Sequence, residues 1–295
     1  MRTTLLDLLS QGQPVVADGG MGTMLFAMGL ERGSAPELWN VEHPDEVRSV
    51  HRGYIEAGAQ IVLTNTFGGN AFRLIGHGLA ERVGELNRAA AQLARQEADA
   101  AAQPVVVGGS MGPTGQMLEP LGDLTFEDAA AAFEAQAAAL VEGGVDVLWI
   151  ETMADLEEVH AAVEGARRAA PEMPIVTTMT FDTRGRTMMG VTPERAVETL
   201  SQYNVIALGA NCGNGPDEIE TVIGKMHQAG PEVHLIAKAN AGLPHMEDGQ
   251  AVYDASPEVM NAYAARVLAQ GAQIVGACCG STPDHIRAIA EALRV

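Results

Sequence analysis

Eight short apolar runs recur along the chain, each followed by a stretch with helical spacing, and this alternation restricts the fold more than any other feature. The runs are 15–17, 61–63, 105–107, 145–150, 174–179, 205–208, 233–237 and 273–275. The helical patterns between them cover about 44–57, 80–101, 126–141, 155–169, a shorter segment after Pro193, 216–228, 257–269, and the stretch from Pro283 onward. In the first of these, Val47, Val50, Tyr54 and Ile55 share one face and Gly58 stops the helix. The runs are continuously hydrophobic rather than alternating, as parallel strands buried on both faces require. With strand and helix alternating through 295 residues and no low-complexity linker, the expected fold class is α/β, a single (β/α)8 TIM barrel forming one domain over residues 1–295. A doubly wound open sheet is the alternative. Against it, the first turn, Asp18-Gly19-Gly20-Met21-Gly22, lacks the Gly-x-Gly-x-x-Gly dinucleotide fingerprint.

A barrel of this kind carries its active site at the C-terminal ends of its strands. The chemically unusual residues fall there: Asp18 after the first run, Thr64 and Asn65 after the second, Glu151 after the fourth, Cys212 after the sixth, Asn240 after the seventh, and Cys278 and Cys279 after the eighth. Cys212, Cys278 and Cys279 are the only three cysteines. Adjacent cysteines pair poorly with each other, and an odd total argues against a disulfide framework. Buried free cysteine is the common alternative. Here, however, all three follow apolar runs and are flanked by glycine, and the sixth and eighth loops are separated by a single strand. Three thiolates from two loops give a zinc site with its fourth position free.

Zinc held by three thiolates carries a formal negative charge. It therefore polarises water poorly, but it keeps an incoming thiol deprotonated and nucleophilic. Alkyl transfer to a thiol suits such a centre. Glu151 and Asp18 are the candidate catalytic carboxylates and could also pair with a substrate ammonium, while the amides of Gly19 and Gly20 could hold a carboxylate. An amino acid bearing a thiol satisfies both ends. Asp18 before glycines is also a common turn residue, and Asn211 and Asn240 could simply shape their loops. Glu151 interrupts an apolar run, where an unpartnered carboxylate is costly. His245 is read as solvated. With 38 acidic against 18 basic residues the net charge is −20, which disfavours nucleic acid and anionic membrane as partners. The first residues lack a signal-peptide core, no window reaches about 18 consecutive apolar residues, and the expected location is cytoplasmic.

The segments Asp18-Gly19-Gly20-Met21-Gly22-Thr23, Thr64-Asn65-Thr66-Phe67, Glu151-Thr152, Gly209-Ala210-Asn211-Cys212, Asn240-Ala241-Gly242 and Gly276-Ala277-Cys278-Cys279-Gly280 resemble, in order and spacing, the homocysteine S-methyltransferase family. The resemblance covers essentially the whole chain. It implies a zinc-containing (β/α)8 barrel, Cys212, Cys278 and Cys279 as metal ligands, and homocysteine as substrate. It further implies that Asp18 and Glu151 contact the homocysteine amino group, with Gly19, Gly20, Thr64, Asn65, Asn211 and Asn240 around the substrate. Ala277 departs from the family's usual glycine, which would matter if that position needed φ > 0. The methyl donor is betaine, S-methylmethionine, or methylcobalamin on a partner protein. The loops after the second and seventh runs look most like the homocysteine-binding module of cobalamin-dependent methionine synthase. A quaternary ammonium donor calls for an aromatic cage, for which Trp39, Phe67 and Phe72 are the rim candidates. The alternatives are a zinc hydrolase or lyase with Glu151 as base, the homocysteine-binding subunit of a split corrinoid and folate system, and a non-catalytic homocysteine or zinc sensor. A homo-oligomer is compatible with the resemblance.

Overall fold

In a computed structural model, which describes residues 2–247 and 250–294, the chain forms one eight-stranded parallel sheet wound into a barrel. Its strands are β1 (Val15–Val16), β2 (Ile61–Leu63), β3 (Val106–Met111), β4 (Val147–Met153), β5 (Ile175–Met179), β6 (Ala207–Cys212), β7 (His234–Ala239) and β8 (Ala272–Ala277). Each is followed by its layer helix: α1 (Pro44–Glu56), α2 (Val83–Ala100), α3 (Phe126–Gly143), α4 (Leu156–Ala169), α5 (Pro193–Leu200), α6 (Pro216–Gln228), α7 (Pro257–Ala269) and α8 (Pro283–Leu293). The expected α/β class and (β/α)8 architecture are therefore observed. Neighbouring strands pair in parallel in chain order from β2 to β8, and β8 pairs with β1, Val15 facing Ile274 and Val16 facing Val275. The ring closes through a bridge between Ala17 and Ile61 and a 2.8 Å bond from the Gln60 amide to the Val16 carbonyl.

The continuous apolar strands now have a physical reason. One face packs on the helices, and the other fills the barrel with Ile61, Val106, Trp149, Val176, Ile236 and Ile274. A short helix, Leu5–Leu9, precedes β1 and packs Leu5, Leu8 and Leu9 against that inner cluster, so the end of the barrel opposite the strand C-termini is plugged. Thr4 caps this helix through a reciprocal bond with Asp7.

Three strands run further than hydrophobicity alone indicates. β3 continues through Gly108, Gly109 and Ser110, because a side chain at Gly108 would meet Leu63 and one at Gly109 would meet Leu140. β4 reaches Met153 and β6 reaches Cys212, so Glu151 and Cys212 belong to strand ends rather than loops. An antiparallel pair, His245–Glu247 with Gln250–Val252, lies between β7 and α7 and was not foreseen. No helix among the described residues is long and apolar enough to cross a membrane.

Candidate active site

The C-terminal mouth of the barrel opens into a cavity of about 260 Å3 lined by Asp18, Gly19, Gly20, Thr64, Asn65, Glu151, Lys238 and all three cysteines, among others. The Sγ atoms of Cys212, Cys278 and Cys279 lie within 4.8 Å of one another. Cys212 and Cys278 are 2.8 Å apart, beyond the roughly 2.05 Å of a disulfide. Sulfurs this close cannot all ionise unaided. Contacts with the other two thiols hold Cys279 well below the usual thiol range. Cys212 is raised by contact with Cys278, by contact with Cys279 and by burial. For Cys278 the Cys212 contact pulls down, but the Cys279 contact and burial push it up to about 12. A cation seated among them would remove that conflict. The three residues can therefore hold a metal, with the open side facing the cavity.

The cysteine loops are held by the backbone around them. Cys212 sits at φ 60°, a left-handed conformation that costs a non-glycine residue about 1–2 kcal/mol. The Cys278 amide donates to the Ala239 carbonyl at 2.8 Å, and the Cys279 amide donates to Asn240 Oδ1 at 3.0 Å. Asn240 Nδ2 in turn donates to the Gly213 carbonyl at 2.8 Å, tying the β6 loop to the β8 loop. Asn211 Nδ2 lies 3.6 Å from Cys212 Sγ, while its Oδ1 accepts from Thr178 and from the Thr152 amide. Asn211 and Asn240 thus brace the thiols and do not line the cavity. Ala277 has ordinary backbone geometry and donates to the Asp18 carbonyl at 3.0 Å, so the departure from glycine carries no strain. The neighbouring Gly276 is the position that needs its glycine, since a Cβ there would lie 2.8 Å from the Asp18 oxygen.

Glu151 is aimed by a local irregularity. The register of β4 against β5 shifts between Ile150 and Met153, and Thr152 adopts φ 61°, secured by Asn211. The Glu151 carboxyl accepts from Ser110 Oγ, and burial pushes its pKa up to about 7, with Lys238 opposing. Asp18 is engaged on both oxygens: Lys238 Nζ donates to Oδ1 at 2.7 Å and the Leu63 amide to Oδ2 at 2.7 Å. Burial nevertheless raises its pKa. Lys238 is only 1% exposed. Burial works against its charge, but Asp18 and Glu151 outweigh that and hold its pKa above the usual lysine range. Lys238 was not singled out from the sequence, although a cation ending the apolar run of β7 carries the same signal that marked Glu151.

The remaining expected residues are placed as follows. The Gly20 amide donates to Ser281 Oγ at 2.9 Å, and a Cβ at Gly20 would lie 2.7 Å from the Cys278 carbonyl. These glycines let the β1 loop close on the cysteine loop. Thr64 Oγ1 accepts from the Ser110 amide at 3.0 Å, and Asn65 Nδ2 donates to the Pro36 carbonyl and to Asn40. Of the three aromatic candidates, only Phe67 lines the cavity. Trp39 lies tilted against His43 with ring centroids 4.4 Å apart, and Phe72 packs against the cluster that includes Leu118 and Leu124.

Comparison with known proteins agrees with this geometry. A family model described as homocysteine S-methyltransferase matches residues 15–293. The chain is 35% identical to the methionine synthase of Mycobacterium tuberculosis (strain ATCC 25618 / H37Rv) over 99% of its own length, and 34% identical to that of Mycobacterium leprae (strain TN). It spans about a quarter of the length of these two relatives, 25% in each case. Among solved structures, the metallated form of the homocysteine methyltransferase MmuM from Escherichia coli superposes with a TM-score of 0.80 at 25% identity, covering 96% of this chain and 98% of that one.

Proposed function

The chain belongs to the homocysteine S-methyltransferase family, and from that premise we propose that it transfers a methyl group to the thiolate of homocysteine, giving methionine, at a zinc site formed by Cys212, Cys278 and Cys279. The observation that carries this reading is the convergence of three thiols from β6 and β8 on the wall of a cavity that also holds the buried carboxyl of Glu151. A sulfur-only donor set selects soft or borderline metals, zinc foremost. Bound there, zinc supplies a site where a fourth thiol is deprotonated at neutral pH.

The chain's own groups then do the positioning. Glu151, with a pKa near neutrality, accepts the substrate ammonium. Asp18 already pairs with Lys238 and adds a second, weaker contact. Gly19 and Gly20 keep the β1 loop against the cysteine loop, and Thr64 and Asn65 shape the opposite wall. Asn211 and Asn240 position the cysteines. Chemistry that depends on free thiols fits the reducing cytoplasm. We read residues 1–295 as one catalytic domain.

A second reading, a homocysteine-activating subunit that receives its methyl group from a separate corrinoid protein, is favoured by the match to a quarter of two methionine synthases. The test is methionine formation by the purified chain from homocysteine with betaine, S-methylmethionine or methylcobalamin. Turnover of the isolated chain supports the first reading. Homocysteine binding with turnover only after a methylated corrinoid protein is added supports the second. Absence of homocysteine binding contradicts both.

A further inference from the structure

Between β1 and β8 the backbone ladder ends where the Ala277 amide donates to the Asp18 carbonyl at 3.0 Å. Beyond that point the strands part into two loops, one carrying Gly19 and Gly20, the other Cys278 and Cys279. All four residues line the cavity. Two buried side chains that do not line it continue the connection from behind. Ser281 Oγ accepts from the Gly20 amide at 2.9 Å and donates to the Cys278 carbonyl at 2.7 Å. Tyr54, on α1, directs its hydroxyl to the Gly20 carbonyl at 3.0 Å and to the Ser281 carbonyl at 3.1 Å. A phenol has one proton, so a single donor serves both loops. The Gly280 amide adds a bond to Thr23 Oγ1 at 3.2 Å. The fit leaves no spare room: a Cβ at Gly19 would lie 2.4 Å from Ser281 Oγ and 2.9 Å from the Tyr54 hydroxyl. Val47, Val50 and Ile55 anchor α1 in the core, so the hydroxyl is presented from a fixed support.

We propose that Tyr54 and Ser281 are positioning residues that clamp the β1 loop, which meets the amino-acid end of the substrate, to the cysteine loop, which meets its sulfur. The clamp makes the site selective for a thiol that carries an amino-acid group over a simple thiol. The proposal rests on the methyl-transfer reading above. In that reading homocysteine is held at two points, by its sulfur on the metal and by its charged end on Glu151 and the β1 loop. Once the first contact is made the second is intramolecular, and its worth depends on the spacing between the two. Removing the phenol or the serine hydroxyl leaves buried backbone groups of both loops short of a partner, which favours their separation. A shift of about 1 Å between the loops then weakens the two-point grip, a misplacement that costs up to about 100-fold. A thiol without an amino-acid group makes only the first contact and is indifferent to the spacing.

The experiment uses the zinc-loaded full chain as wild type, Tyr54→Phe, Ser281→Ala and the double variant, with zinc content measured for each. Calorimetry reads the binding of homocysteine and of mercaptoethanol, a thiol with no amino-acid group. Each single substitution should weaken homocysteine binding by about 10-fold, the worth of one or two buried hydrogen bonds. Mercaptoethanol binding and zinc content should stay as in wild type. The double variant should lose less than the product of the two single effects, because both side chains hold the same pair of loops. Each single variant is a test by itself, so a fold lost in one leaves the other to decide. Equal weakening of both thiols, loss of zinc, or unchanged homocysteine binding in the folded variants would each overturn the proposal. Failure of wild type to bind homocysteine would refute the underlying reading instead, and the proposal with it.

Discussion

Glu151 sets how the site responds to pH. With its pKa raised to about 7, its neutral form favours the free folded protein. That contribution is complete below the usual carboxylate range and is lost as pH rises through about 7. An ammonium bound to Glu151 reverses the preference, so homocysteine affinity should increase as pH rises through 7, with a proton released from Glu151. Calorimetry in buffers of different ionisation enthalpy checks this. Wild type should release more protons at pH 7 than Glu151→Gln, and identical release in the two proteins would remove Glu151 from the binding site. That Asp18, Glu151 and the cysteines gather at the barrel mouth was legible in the sequence, because a polar or thiol side chain ending an apolar run is costly unless used. Lys238 gave the same signal and passed unread. Asn211 and Asn240 were read both as substrate contacts and as loop-shaping residues, and the sequence could not choose, because an asparagine's task is decided by backbone φ and by the groups within reach of its amide. Here those are Thr152, Thr178, Gly213 and Cys279.

Elements are joined at the site by buried polar bonds, and their loss should be measurable. Lys238→Met would leave Asp18 between β1 and β7 without its cation, which costs about 3–5 kcal/mol when a buried pair is broken. The double variant Lys238→Met with Asp18→Asn should recover much of that stability in urea unfolding, because no isolated charge remains. At the β6 and β8 loops, Asn240→Ala removes the acceptor of the Cys279 amide and the donor to Gly213. Metal affinity should fall by about 10- to 100-fold, as for other groups that orient metal ligands, and chelator competition reads this directly. The order and type of the eight strand and helix units were legible from periodicity. The extension of β3 through two glycines was not, because glycine there reflects the proximity of Leu63 and Leu140 in other parts of the chain. The hairpin between β7 and α7 was missed because strands of three residues are too short to show a period.

The whole molecule is a barrel plugged at one end and open to chemistry at the other. The plug is testable apart from the site. Leu8→Ala, behind the inner strand residues, should cost about 2–5 kcal/mol in thermal or urea unfolding and leave metal content unchanged. The fold and the position of its active mouth follow from the alternation of elements, and both could be read before any contact was known. The direction of charge inside the mouth could not, since Lys238, Asp18 and Glu151 meet only after the strands close. The central claim, that three cysteines hold zinc with a fourth position for homocysteine sulfur, is tested most directly by X-ray absorption at the zinc edge on protein purified under reducing, chelator-free conditions. The account predicts one zinc per chain with three sulfur neighbours at about 2.3 Å, rising to four when homocysteine is added. Protein without zinc, or a sulfur count unchanged by homocysteine, would contradict it.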